Sequence, residues 1–170
     1  MFNIPFGSIV YETYNARSDV DILKIMEGES NPDLHIYTPE EYQLALDNHE
    51  VVPVETYYWA RYKLEGFTDK FRFNLDKWKL RQSFSAVSSN SWVKCKKKLT
   101  DGETYIGLKS LFHSLRIISN AYSIAREDFI LWDRATLYKQ IMADYGKPWE
   151  HFNNIYKLPY NELHSKVRIS

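Results

Sequence analysis

The sequence has a single cysteine, Cys95, in 170 residues. No internal disulfide can form, which agrees with a reducing compartment. No apolar run approaches the roughly 20 residues that a membrane helix needs, and the opening MFNIPFGS has no basic segment followed by a long apolar one. Neither a membrane span nor a secretion signal is therefore expected, and a cytoplasmic location is. Repeats and low-complexity linkers are also missing. Among the five histidines, His151 and His164 have no Cys or His partner at zinc-binding spacing, so no structural zinc is expected. Net charge is absent as well.

That zero hides a division. Residues 1–60 carry 11 acidic against 2 basic side chains, −9, and residues 61–170 carry 11 against 20, +9. One part suited to cations and another suited to anions such as phosphates would give this division, as would two halves that attract each other. Hydrophobic residues make up 44% of the chain and aromatic residues 16%, enough for one packed domain or for a small catalytic part joined to a helical one. The aromatic residues are read first as core.

The pattern predicts an α+β chain. Phe2 to Phe6 reads as a short strand running into Gly7-Ser8, with one or two helical turns from Ile9 to Tyr14. Asp19 to Ile25 alternates and is β-branched, giving a second strand. Turn residues fill Gly28 to Pro32, and Asp33 to Tyr37 alternates again as a third strand. Thr38-Pro39-Glu40-Glu41 is a helix start with Pro at the first helical position, and that helix runs to about His49. Helical periodicity then covers Val54 to Leu64, Leu75 to Leu99, Leu108 to Ala125, Ala135 to Asp144 and Trp149 to Tyr156. The composition shifts near residue 60, which divides the chain into a 1–60 core and a basic, helical 61–170 part; one compact unit is also compatible with this pattern.

On a strand, side chains two apart share a face, so Asp19 and Asp21 are expected on one face and Val20 and Ile22 in the core. Paired carboxylates suit Mg²⁺ or Mn²⁺, hard cations that take one or two carboxylates plus substrate phosphates. Asp33 would add a third carboxylate if its strand lies alongside, and three carboxylates hold the two metals of in-line phosphoryl or nucleotidyl transfer. Gly7 lets backbone approach a phosphate, and Ser8 offers a hydroxyl and an N–H at a helix start. Singly, a Gly-Ser turn is most often a loop and an Asp-x-Asp pair a solvated strand edge; their order and spacing are more specific.

Gly7-Ser8, ten residues, then Ser18-Asp19-Val20-Asp21-Ile22 resembles the signature of the DNA polymerase β-like nucleotidyltransferase superfamily, and within it the small bacterial and phage predicted nucleotidyltransferases. The similarity continues through Asp33 to Tyr37, Tyr42 and Glu55, then Ser88 to Leu99 and Lys109 to Arg116, covering roughly residues 2–120. It implies a small mixed sheet with helices at the N-terminus and a mainly helical C-terminal part. It further implies a metal-dependent transfer of an NMP from an NTP to an acceptor hydroxyl, in the host cytoplasm for a phage-encoded chain. Asp19, Asp21 and Asp33 would be catalytic and hold metal, and Gly7, Ser8, Thr13 and Ser18 would surround the nucleotide. Many members read Gly-Ser-x-x-x-Gly-Thr; here Glu12 stands at the second glycine, before Thr13, where an acidic side chain repels a triphosphate unless it points away.

Lys109, His113 and Arg116 are spaced i, i+4, i+7 along one helix face beside an apolar stripe. The resemblance makes them nucleotide contacts, with His113 as a hydrogen-bond donor; spacing alone favours a solvated face. Trp92, Lys94, Lys96, Lys97 and Lys98 form an aromatic and basic patch suited to nucleic acid, although such runs are mostly solubilising. His35, on the Asp33 face, is either a support for the metal ligands or an exposed strand residue. An alternative to the enzyme is a nucleotidyltransferase-fold module with weak or no turnover that binds nucleic acid or a protein. A third reading is a nuclease using the same carboxylates. The acceptor, whether RNA, protein or small molecule, carries no motif.

Overall fold

The computed structural model describes residues 1–169. It is an α+β fold in which a small mixed sheet is followed by helices. Strand β1 (Phe2–Phe6) pairs antiparallel with β2 (Asp21–Ile25), which pairs parallel with the two-residue β3 (Ile36–Tyr37). The register sets Phe6 opposite Asp21 and Phe2 opposite Ile25. Seven helices follow among the described residues: α1 (Pro39–Asp47), α2 (Val51–Ala60), α3 (Phe67–Lys70), α4 (Lys77–Thr100), α5 (Thr104–Glu127), α6 (Ala135–Ala143) and α7 (Trp149–Ile169). No helix among them is long and apolar enough to cross a membrane.

The start of α1 follows its sequence closely. The Thr38 hydroxyl accepts from the Glu41 N–H at 3.2 Å, and the Glu41 carboxylate accepts from the Thr38 N–H at 2.8 Å. This capping box satisfies two orphan amides at once. Asp76 caps α4 in the simpler way, accepting from the Lys79 N–H at 3.1 Å. Helices α4 and α5 are the long antiparallel pair of the fold. They are clasped where Ser88 Oγ donates to the Ser114 carbonyl at 2.8 Å and Ser114 Oγ donates to the Ser88 carbonyl at 2.7 Å. Near the connection, a Cβ on Gly107 would lie 2.9 Å from a Leu99 methyl, so the absence of a side chain sets how closely the helices approach.

Four expectations change. The strand predicted from Asp19 begins at Asp21, and its core-facing residues are Leu23 and Ile25, fully buried, while Val20 and Ile22 are 53% and 41% exposed. Asp21, half-buried, belongs to the inward row with Leu23 and Ile25. The helix predicted after Ser8 is one 3₁₀ turn, Gly7–Ile9. Asp33 does not open a strand: Pro32 starts a 3₁₀ turn over Pro32–Leu34, and His35 at φ +56° ends it in the left-handed region, so β3 begins only at Ile36. Helix α7 also runs past Tyr156 to Ile169, with Pro159 inside it.

Buried side chains from both parts of the chain join one core, from Ile4, Leu23 and Ile25 of the sheet through Tyr42, Val54 and Phe67 to Leu111, Ile118 and Phe152. The helices cover one face of the sheet, and the inward row of β2 carries Asp21 at the end of that face, opposite Phe6.

Candidate functional site

The Gly-Ser turn and Asp21 meet at the end of the β1–β2 pair. Gly7 has φ +74°, and a Cβ there would lie 2.7 Å from Asp21 Oδ2. Only glycine leaves that space, for steric as well as conformational reasons. The Ser8 carbonyl is taken by Thr13, whose N–H donates to it at 3.0 Å and whose hydroxyl lies 3.4 Å away. Thr13 is buried, so it braces the turn from behind. Ser18 Oγ accepts from the Asn15 N–H at 3.0 Å and holds the loop before Asp19. Asp19 is exposed, in the irregular stretch ahead of β2.

Glu12 adopts φ +60°, the conformation a glycine takes without strain. Its carboxyl is directed at Asp133, and the hydrogen bond and repulsion between the two raise its pKa. The acidic side chain thus engages the loop ahead of α6.

The segment between turn and aspartates packs on α5 and α6. Asn15 donates to Tyr138 Oη at 2.8 Å and to Tyr105 Oη at 3.3 Å, and the Arg17 guanidinium lies 4.6 Å over the Tyr105 ring. One turn before, Tyr11 enters a closed polar knot. Its hydroxyl donates to Glu55 Oε2 at 2.5 Å, and Arg116 Nη1 and Asn120 Nδ2 donate to the same oxygen at 2.5 and 2.6 Å. Asn120 also donates to Tyr11 Oη at 2.8 Å and accepts from Arg134 Nη2 at 3.0 Å. The Arg116 guanidinium lies 4.3 Å over the Tyr11 ring.

The Arg116 and Glu55 side chains are 7% and 4% exposed. Burial works against the Arg116 charge, but Glu55 and Tyr11 outweigh it and its pKa moves up. Burial, then the Glu55 charge, pushes the Tyr11 phenol far up. Arg116, expected to meet nucleotide, is therefore taken up by the fold. Its remaining Nη2 donates to His113 Nδ1 at 3.1 Å. Burial, with Arg116, Lys109 and Lys94 following, holds the His113 pKa well below the ordinary imidazole value. The ring is neutral, accepts at Nδ1 and carries its proton on Nε2. The charges of Lys94 on α4 and Lys109 on α5 both act on this ring.

Trp92 is not free for base stacking. Its ring stacks on Tyr160 at 4.2 Å and meets Trp149 edge-on at 5.2 Å. Lys98 pairs with Glu103 at 2.8 Å, while Lys94, Lys96 and Lys97 are exposed.

A cleft of about 430 Å³ opens between the Pro32–Leu34 turn and helices α2, α4 and α5, with Asp33, His35, Glu50, Glu55 and Arg116 in its lining. His35 packs edge-on against Phe6 at 4.8 Å. Burial lowers its pKa, with the Asp21 charge acting the other way, and its buried Nδ1 has no hydrogen-bond partner among the described residues. Tyr11, Asn120 and Arg134 belong to no motif of the sequence; only the i, i+4 placement of Arg116 and Asn120 hints at the knot they form.

Among the described residues no group of three or more His, Cys, Asp or Glu side chains is gathered to hold a metal ion. Asp33 does not join Asp19 and Asp21, because its turn keeps it off the sheet. Asp21 at an open strand end, with the exposed Asp19 two residues before it, fits a single Mg²⁺ that takes its other ligands from water and substrate. No family model, curated protein or solved structure matches the chain.

Proposed function

We propose that the chain is a metal-dependent nucleotidyltransferase that moves an NMP from an NTP to an acceptor hydroxyl and releases pyrophosphate. The observation that carries this reading is the close approach of the Gly7 backbone to the Asp21 carboxylate, so close that a Cβ on Gly7 would lie 2.7 Å from Asp21 Oδ2. Backbone that can meet phosphate and a carboxylate that can meet a cation are the two halves of a nucleotide site.

In this reading Gly7 and Ser8 bind the triphosphate, and Asp19 and Asp21 hold Mg²⁺. The bound cation would supply charge neutralisation on the phosphates. Lys109, one helical turn after the Tyr105 that meets Asn15 of the loop, would add positive charge there and stabilise the transition state and the leaving pyrophosphate. The acceptor oxygen forms the new bond to the α-phosphorus as the bond to the bridging α–β oxygen breaks. The acceptor proton passes to the carboxylate of Asp33, which is exposed and lines the same cleft as His35.

The test offers each α-labelled NTP with Mg²⁺ to separated RNA, protein and metabolite fractions. Label is expected in one fraction, with Asp19→Asn/Asp21→Asn lowering transfer by about 10³-fold at an unchanged melting temperature. Full transfer by the double variant would sink the mechanism. A second reading, a nucleic-acid-binding module without turnover, is favoured by the missing third carboxylate among the described residues. It predicts salt-sensitive RNA binding with no metal-dependent NTP heat in calorimetry.

A further inference from the structure

We infer that a second binding site lies between α4 and α7 and takes a small phosphate monoester. A cavity of about 410 Å³ opens there, lined by Arg81, Gln82, Ser85 and Ser89 of α4 and by His164 and Arg168 of α7. It shares no lining residue with the Gly7–Asp21 region, and no Asp or Glu among the described residues lines it. Among the described residues neither arginine forms an ion pair. Two guanidinium groups facing one cavity without a counter-charge repel each other, and an anion between them removes that repulsion.

The donors are held in place before any ligand arrives. Arg81 Nη1 donates to the Arg168 carbonyl at 3.3 Å, and Arg168 Nη2 donates to Ser165 Oγ at 3.3 Å. Each guanidinium keeps further N–H groups for a ligand, in the fork that matches two phosphate oxygens. Ser89 Oγ accepts from Tyr160 Oη at 3.1 Å, leaving its own hydrogen to donate. His164 Nε2 lies 3.1 Å from Ser88 Oγ. The Ser88 hydroxyl hydrogen goes to the Ser114 carbonyl, and that of Ser114 to the Ser88 carbonyl, so the histidine is the donor of this bond and Nδ1 is the free ring position. Burial, and then Arg168, holds the His164 pKa down; a dianion beside Arg168 cancels the second effect and lets Nδ1 become a fourth donor.

The size of the cavity argues for an organic phosphate. At about 410 Å³ it falls within the range of small-molecule sites, about 300–1,000 Å³, and exceeds what a bare phosphate fills. Polar hydroxyl and amide groups from Ser85 and Gln82 remain for the organic part.

Calorimetry on the full chain with ribose 5-phosphate, inorganic phosphate, ribose and a short oligouridylate tests the site. Ribose 5-phosphate is expected to bind saturably, inorganic phosphate more weakly and ribose not at all. Arg81→Gln and Arg168→Gln should each weaken binding by about tenfold, whereas Asp19→Asn/Asp21→Asn leaves it unchanged. In the wild-type chain, the His164 ring ¹⁵N signals should move on titration with ribose 5-phosphate, a readout that needs no variant. Unmoved His164 signals, equal affinity for ribose and ribose 5-phosphate, inorganic phosphate binding as tightly as the monoester, or oligouridylate binding through these arginines in its place would overturn the proposal.

Discussion

Asp21 and Glu55 are both carboxylates of the acidic front of the chain, and they differ in what meets them. Glu55 receives three donors on one oxygen and is walled in by Tyr11, Arg116 and Asn120. Asp21 faces the bare backbone of Gly7, and among the described residues no side chain donates a hydrogen bond to it. The first arrangement spends its charge inside the protein and ties α2, α5 and the segment after the Gly-Ser turn together. The second leaves charge for something that arrives. The same distinction separates Arg116, bound to Glu55, from Lys109 and Lys94, whose charges act on His113 but which form no ion pair among the described residues.

Glu55→Ala strikes the closed side and carries the largest expected effect. It leaves Arg116 buried and unpaired, which costs about 3–5 kcal/mol, read as a fall in the urea midpoint with an unchanged slope. A loss below about 1 kcal/mol would mean that Arg116 finds another partner and that the two sides are not distinct.

Acidification separates them next. His113 sits under Arg116 with its pKa well below the ordinary value, and burial lowers those of His35, His49 and His164 in the same direction. Below about pH 6.5, the value of a free imidazole, the unfolded chain takes up protons that the folded rings refuse. Stability therefore rises with pH up to about 6.5 and levels off above it. His113→Asn keeps an acceptor for Arg116 and removes one titration, so urea midpoints between pH 5 and 7 should show a shallower dependence than wild type. An unchanged dependence would mean that His113 contributes nothing to the acid response.

The smallest effect belongs to the open side. Glu12→Gly relieves a left-handed residue and its contact with Asp133, and differential scanning calorimetry should show a rise in Tm of about 1–3 °C. A fall would show that the Glu12–Asp133 contact holds the turn.

Much of the front is legible because local chemistry decides it. β1, the Gly-Ser turn and the Thr38–Glu41 capping box sit where their residues indicate. The face of β2 is not, since Val20, Ile22, Leu23 and Ile25 offer apolar side chains to both sides and period two alone does not choose between them. Asp33 to Tyr37 alternates like a strand, but Pro32 and a left-handed His35 turn the chain first. Tyr156, Tyr160, Leu163 and Val167 continue the apolar stripe of α7 at helical spacing, a signal obscured by Pro159. The Glu55–Arg116 knot is hidden for a deeper reason: its partners are 61 residues apart, and charge in a sequence does not say whether it will be answered.

The Trp92 sandwich makes α7 visible to light. Two indoles at 5.2 Å and 77° form a coupled pair of transition dipoles, and such pairs give a far-ultraviolet couplet in circular dichroism. Trp149 and Tyr160 both belong to α7, so the couplet survives only while that helix lies against α4. Detachment of the last helix can thus be timed separately from melting of the sheet, with no label added to the protein.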